Sequence, residues 1–278
     1  MIGADRMFGA PGRGYDYVVG VDLPPAEGIV GLPPVEGPMD ATRPLVVIDA
    51  GHGGKDPGAG TGTIKEKDLT LALAQALRAE LLSAGGIRVA LTRNDDRYLL
   101  LGERSSIARR LGADLFISIH ADSSEQDVTE ARGATIYTLS DKGSNEVAER
   151  IAARENAADL INGVKVGEQE DQVSQILVDL SQRETKTRSA QFANLLLREG
   201  QGRLPFRESE GQSAAFAVLK SPDVPSVLFE TGYLNNPEDA RRIASPEGRE
   251  AFAQVVTQAI RAYFARHAPI SRTSGFHY

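Results

Sequence analysis

From Pro44 onward, short apolar runs alternate with longer stretches in which apolar residues recur every third or fourth position, the pattern of strands exchanging with helices. "LVVIDA" (45–50) is apolar almost throughout and predicts a buried strand. Leu69, Leu73, Leu77 and Leu81 repeat at every fourth residue, which puts one apolar stripe on a helix that Gly85-Gly86 stops. "IRVALTR" (87–93) predicts the next strand, "LLLGERSSIARRLG" (99–112) a helix, and "ADLFISIHAD" (113–122), "GATIYTLS" (133–140) and "PSVLFETGYL" (225–234) further strands. Two helices close the pattern, opening at Asn236-Pro237-Glu238-Asp239 and Ser245-Pro246-Glu247, each a capping residue followed by proline in the first turn. The sum is an α/β fold, a sheet with helices on its faces.

Three segments break this rhythm. Residues 1–43 are rich in "LPP" and glycine and predict a linker or the remnant of an upstream domain, with one possible strand in "YDYVVGVDL" (15–23). Residues 141–213 are long, charged and helical in period between two strands, as an insertion or lid would be. In it, "SNEVAERIAARENAADLINGV" predicts one helix, "DQVSQILVDLSQRETKTRSAQFANLLLREG" one long helix or two, and "QGRLPFRESEGQS" a polar loop. Residues 268–278 are expected to be a frayed tail, leaving 44–267 as the expected folded domain.

Composition narrows the chemistry. A formal charge of -7 without a basic stripe argues against nucleic-acid binding. Cysteine is absent, so any metal must be held by histidine, carboxylate or carbonyl groups. The apolar runs fall short of the roughly 20 residues that a membrane helix needs. The start shows no signal-peptide core, so an exported protein would need a signal not present in this sequence.

"VVIDAGHGGKDPGAGTGTIKEKD" (46–68) passes from a strand through one histidine into a glycine-rich loop. It lacks the lysine followed by serine or threonine of an NTPase phosphate loop, and its helix begins too late for a dinucleotide loop. A metal loop fits better. Of the four histidines, His267 and His277 lie at a helix end and in the tail, whereas His52 and His120 each follow an apolar strand. Glu66 opens the next helix, and two imidazoles, a carboxylate and an open position for water describe a catalytic zinc site. Glu230 also ends an apolar strand, where a carboxylate is costly unless paired or working. Each of these residues has a plainer reading as a strand-end hydrogen-bonding or ion-pairing group. Asp49 is a partner for a histidine N–H or a structural loop residue.

The motifs "VVIDAGHGGKDPGA", "KEKDLTLALA", "ADLFISIHAD" and "SVLFETGYLNN", in this order over about 44–266, resemble the zinc-dependent N-acetylmuramoyl-L-alanine amidases of the amidase_3 type, which cleave peptidoglycan. The resemblance implies a central mixed β-sheet flanked by helices, of the phosphorylase/hydrolase-like kind. It implies one zinc ion held by His52, Glu66 and His120, with Glu230 as the catalytic residue. Zinc would polarise the amide and its water, and Glu230 would carry the proton to the leaving amine. Glycines 51, 53 and 54 then let the backbone approach the metal.

The chain further resembles the Gram-negative cell-separation subgroup, which carries a helical insertion between the third and fourth motifs. There a glutamate of the insertion fills the open zinc position until a LytM-like activator protein relieves it. "RENAADLINGV" makes Glu155 the plug, with Glu149, Glu168 and Glu170 as competitors and an ordinary solvated helix face as the bland alternative. Val173, Ile176, Leu177 and Leu180 form an apolar stripe that is either core or the activator's contact. The subgroup implies a periplasmic enzyme acting on septal wall. A zinc peptidase of other peptides and an inactive wall-binding module are the competing functions.

Overall fold

The computed structural model describes residues 31–61, 64–123, 131–161, 175–208 and 210–267, with side chains throughout except at 61, 161 and 175–181. The possible strand at 15–23, the tail, Glu168, Glu170 and Val173 lie outside the described residues.

Strands β1 (Leu45–Ala50), β4 (Arg88–Leu91), β5 (Leu115–Asp122), β6 (Thr135–Leu139), β7 (Gln212–Ala214) and β8 (Ser226–Tyr233) form one sheet in the order β4-β1-β5-β8-β6-β7. The first four of these neighbours run parallel and β6 runs antiparallel to β8, so the sheet is mixed. A two-stranded ribbon, β2 (Gly60–Thr61) with β3 (Ile64–Lys65), stands apart from it in the glycine loop.

Alternation along the strands sorts residues onto two faces. Val46, Ile48, Ala50, Ile117, Ile119, Val227 and Phe229 face helices α1 (Glu66–Ala84), α5 (Gln175–Gly200) and α7 (Pro246–Arg266). Val47, Phe116 and Leu228 face the other way, toward α2 (Leu101–Leu111) and α3 (Glu146–Asn156). The same parity carries Asp49, Ser118, His120, Asp122 and Glu230 to that second face. Its polar residues gather at the carboxyl end of the strands, where open α/β sheets place their sites.

The predicted caps form. Asn236 Oδ1 accepts from the amides of Glu238 and Asp239 at the start of α6 (Pro237–Ala244), and Ser245 Oγ accepts from Gly248 at the start of α7. The insertion differs from its expected single first helix: α3 ends at Asn156, and a short α4 (Ala158–Ile161) follows after Ala157. Ile176, Leu177 and Leu180 belong to the first turns of α5. "QGRLPFRESEGQS" is a loop until Gln212, where β7 pairs in parallel with β6. In the segment expected as a linker, Glu36 exchanges both backbone hydrogen bonds with Val89 on edge strand β4.

Candidate metal centre

His52 lies two residues beyond β1 with φ 59, the one positive-φ non-glycine among the described residues. A side chain rarely sits in the left-handed region, and such strain gathers at functional sites. Two buried guanidiniums brace this turn. Arg93 donates to the carbonyls of Ala50, Gly51 and Lys67, and Arg104 donates to those of Ala50 and His52. Gly51 is needed for close approach, because a Cβ there would stand 2.5 Å from the His120 ring. At Gly58 (φ 66) a Cβ would collide with both Glu66 and His52.

Glu66 opens α1 and is fixed by backbone donors: Ala121 N–H to Oε1 at 2.8 Å and Ala59 N–H to Oε2 at 2.7 Å. Its Oε1 lies 3.0 Å from His52 Nε2 and 3.2 Å from His120 Nδ1, and these two ring nitrogens are 3.2 Å apart. Glu155, from the last turn of α3, places Oε2 at 3.3 Å from His52 Nε2 and 3.2 Å from His120 Nδ1. A tetrahedron with bonds of about 2.0–2.1 Å has edges of about 3.3–3.4 Å. The two ring nitrogens and Glu66 Oε1, 3.0–3.2 Å apart in a buried site, are spaced as three ligands of one divalent cation are, and Glu155 Oε2 approaches the same two nitrogens from α3.

Electrostatics agree with that fit. Burial disfavours charge on both imidazoles, yet the Glu66 and Glu155 carboxylates outweigh it, pushing His120 up to about 10 and His52 well above its ordinary value. Burial likewise opposes the Glu66 charge, but the facing rings hold it down at about 2. The space between these groups favours positive charge, which a divalent cation supplies without protonating its ligands.

Glu230 is the Cα partner of His120 across β5 and β8. It is 2% exposed, and among the described residues neither carboxylate oxygen has a hydrogen-bond partner. A ligand atom each from Glu230, His120 and Glu155 lie within 4.8 Å of one another. Burial, then the nearby Asp122 carboxylate, raise Glu230 well above the usual carboxylate range. A basic, unpartnered carboxylate facing a metal corner can accept a proton from a molecule held there.

The structure brings together His52, Glu66, His120, Glu230 and Glu155. Among Glu155's competitors, Glu149 is exposed and receives the Gly143 N–H, while Glu168 and Glu170 lie outside the described residues. Asp49 does not serve a histidine ring. It accepts from Thr92, Ser118 and Arg104, because strand parity turns it toward α2. The His52 partner is Asp56, 2.8 Å from Nδ1, one helical-turn spacing on in "HGGKD". The sequence reading also missed Arg93, Arg104, Asp122 and Arg154, whose roles depend on long-range packing. For Arg154 that is an ion pair with Asp122 Oδ1 at 2.5 Å, beside a 2.9 Å contact to Glu155 Oε1.

Comparison with known proteins follows the same motifs. The Amidase_3 family, described as N-acetylmuramoyl-L-alanine amidase, matches residues 46–262. The chain is 38% identical over 222 residues to the N-acetylmuramoyl-L-alanine amidase AmiA of Escherichia coli, covering 79% of this chain and 76% of AmiA. It is 36% identical over 224 residues to AmiC of Neisseria meningitidis, covering 80% of this chain but 53% of that relative. The solved amidase AmiC2 of Nostoc punctiforme superposes with TM-score 0.56 at 29% identity, covering 80% of this chain and 98% of that one. The CwlD amidase of Clostridioides difficile, solved in complex with the GerS lipoprotein, shares the fold at TM-score 0.59 and 23% identity, covering 81% of this chain and all (100%) of that one. The matched residues take in most of the chain, which thus belongs to the N-acetylmuramoyl-L-alanine amidase family.

Proposed function

We propose that this chain is a zinc-dependent peptidoglycan hydrolase that cleaves the amide between the lactyl group of N-acetylmuramic acid and L-alanine of the stem peptide. The observation that carries the reading is the buried cluster of His52, Glu66 and His120 beside the unpartnered Glu230. Bound zinc supplies Lewis acidity to the amide carbonyl and to the attacking water. His52, Glu66 and His120 would hold the ion, and Asp56 fixes the His52 ring through Nδ1. Glu230 takes the proton from water as the new C–O bond forms. It then delivers that proton to the alanine nitrogen as the C–N bond breaks, so that glycan and free peptide separate.

Glu155 is the brake in this reading. Its Oε2, 3.3 Å from His52 Nε2 and 3.2 Å from His120 Nδ1, would compete with the substrate oxygen or water for the ion, and a tethered carboxylate competes at high effective concentration. Relief would come from a LytM-like activator in the periplasm, docking on the apolar stripe of Val173, Ile176, Leu177 and Leu180. A protein partner on the related CwlD amidase is in keeping with such control. Among the described residues no helix is long and apolar enough to cross a membrane.

The test is dye-labelled peptidoglycan release by zinc-loaded wild type, Glu155→Ala and Glu230→Ala, with mass spectrometry of the products. A nearly silent wild type, an active Glu155→Ala releasing free stem peptides and a dead Glu230→Ala are expected. Full activity of the wild type would refute the brake; absence of release from every form, with or without activator, would refute the amidase assignment. Ile176→Asp is expected to abolish activator capture in a pull-down, and intact capture would refute the docking stripe.

A further inference from the structure

The inward apolar face of α3 consists of Ala148, Ile151 and Ala152 and ends before the plug residue. Beyond it the chain is held by polar side chains on either side of Glu155. Arg154 pairs with Asp122 Oδ1 at 2.5 Å and donates to the Ser123 carbonyl at 2.8 Å, both at the end of β5. Asn156 donates to the Ala215 carbonyl at 2.8 Å and accepts from the Ala217 N–H at 2.7 Å. Asp159 Oδ1 accepts from Tyr98 Oη at 2.7 Å and from the Leu101 N–H at 3.1 Å, at the start of α2. Leu160, in the same short helix, is 60% exposed.

We propose that Arg154, Asn156 and Asp159 form a polar clamp that sets how often Glu155 leaves the metal corner, with the Arg154–Asp122 ion pair as its main lock. The proposal rests on the reading of Glu155 as a plug. Polar anchors suit a part that must let go, since their groups exchange protein partners for water when the segment lifts. Asp122 is the exception, being 2% exposed, so parting it from Arg154 strands a buried carboxylate beside Glu230. That asymmetry makes Arg154 the residue whose loss most favours opening. α3 is continuous to Asn156, so lifting Glu155 while the apolar half stays seated requires the last turn of α3 to unwind. A clamp of this kind shifts a population, and weakening it raises the open fraction in proportion to the lost bias.

The test uses the zinc-loaded full chain without activator. Peptidoglycan release and backbone hydrogen exchange are measured for wild type, Arg154→Gln, Arg154→Lys, Asp159→Asn and Glu155→Ala, with zinc content and Tm as folding controls. Arg154→Gln and Asp159→Asn are expected to raise release about tenfold or more toward the Glu155→Ala level. Amides of 154–161 should exchange faster while those of 146–152 keep their protection, and Arg154→Lys should give a smaller rise. Wild-type release and exchange in both neutralised variants, with Glu155→Ala active, would overturn the clamp while leaving the plug standing. A folded, zinc-bound Glu155→Ala that stays silent would overturn the plug and the clamp with it.

Discussion

His120 and Glu230 face each other as Cα partners on adjacent parallel strands, so the imidazole proposed as a metal ligand and the carboxylate proposed as the base are held in register by the sheet itself. Thr231 strengthens that register by donating its hydroxyl to the His120 carbonyl at 2.9 Å. Rigid strands position such groups better than loops do. The expected consequence is a clean separation of binding from chemistry. Glu230→Gln should retain zinc and fold while losing about 10²–10⁴-fold in peptide release, the usual worth of a positioned general base. Metal analysis beside single-turnover release checks it, and loss of zinc in parallel with activity would count against the assignment.

Asp56 stands 2.8 Å from His52 Nδ1, leaving Nε2 to point at Glu66 and His120. A carboxylate in that position fixes ring orientation and tautomer and raises ligand basicity. Asp56→Ala is expected to weaken zinc binding about 10–100-fold, read by competition with a chelator of known affinity. Peptide release should recover when zinc is supplied in excess. An unchanged zinc affinity would show that the loop alone orients the ring.

Much of this site could be read from sequence because its parts sit at the ends of apolar strands. His120 in "LFISIH" and Glu230 in "SVLFE" carry their own signal, and Glu66 follows from its place at the head of a strongly periodic helix. Asp49 stayed open between a histidine partner and a structural residue because a sequence shows neighbours along the chain, not the face on which a residue lands. Alternation turned it toward Arg104, 55 positions away. The break at Ala157 was missed for a related reason: in "RENAADL" the weak helix formers Asn156 and Asp159 stand among strong ones, and only their long-range anchors to Ala215, Ala217 and Leu101 show where the helix gives way.

Gly51 passes so near the His120 ring that an added Cβ would meet three ring atoms at 2.5–2.8 Å. The ring cannot retreat without leaving Glu66 and His52, and the backbone is pinned by Arg93 and by the Gly51 N–H donating to Ile119. Gly51→Ala should thus show reduced zinc occupancy and lower Tm, with the larger effect on zinc. Full occupancy in the alanine variant would mean that the turn is looser than its hydrogen bonds imply.

Asp49 and Arg104 form a fully buried ion pair at 2.9 Å beneath the metal loop. Burial pushes the Asp49 carboxyl up, but Arg104, with the Thr92 and Ser118 hydroxyls, outweighs it and holds the value below 3.8. A carboxyl depressed by folding contributes stability that is present above its unfolded value, and this is lost as pH falls through the folded one. Acid unfolding of the wild type should accordingly show a contribution that fades as pH falls below about 4, and Asp49→Asn should lack it. Arg104→Met leaves Asp49 charged and unpaired and is expected to cost about 3–5 kcal/mol near neutral pH, the usual penalty for breaking a buried pair from one side. It also frees the carbonyls of Ala50 and His52, so zinc affinity should fall along with stability. Urea unfolding at pH 7 and at pH 3 separates the effects: the deficit of Arg104→Met should shrink at the lower pH, where Asp49 can protonate, and a deficit independent of pH would mean that the lost carbonyl contacts, not the ion pair, dominate.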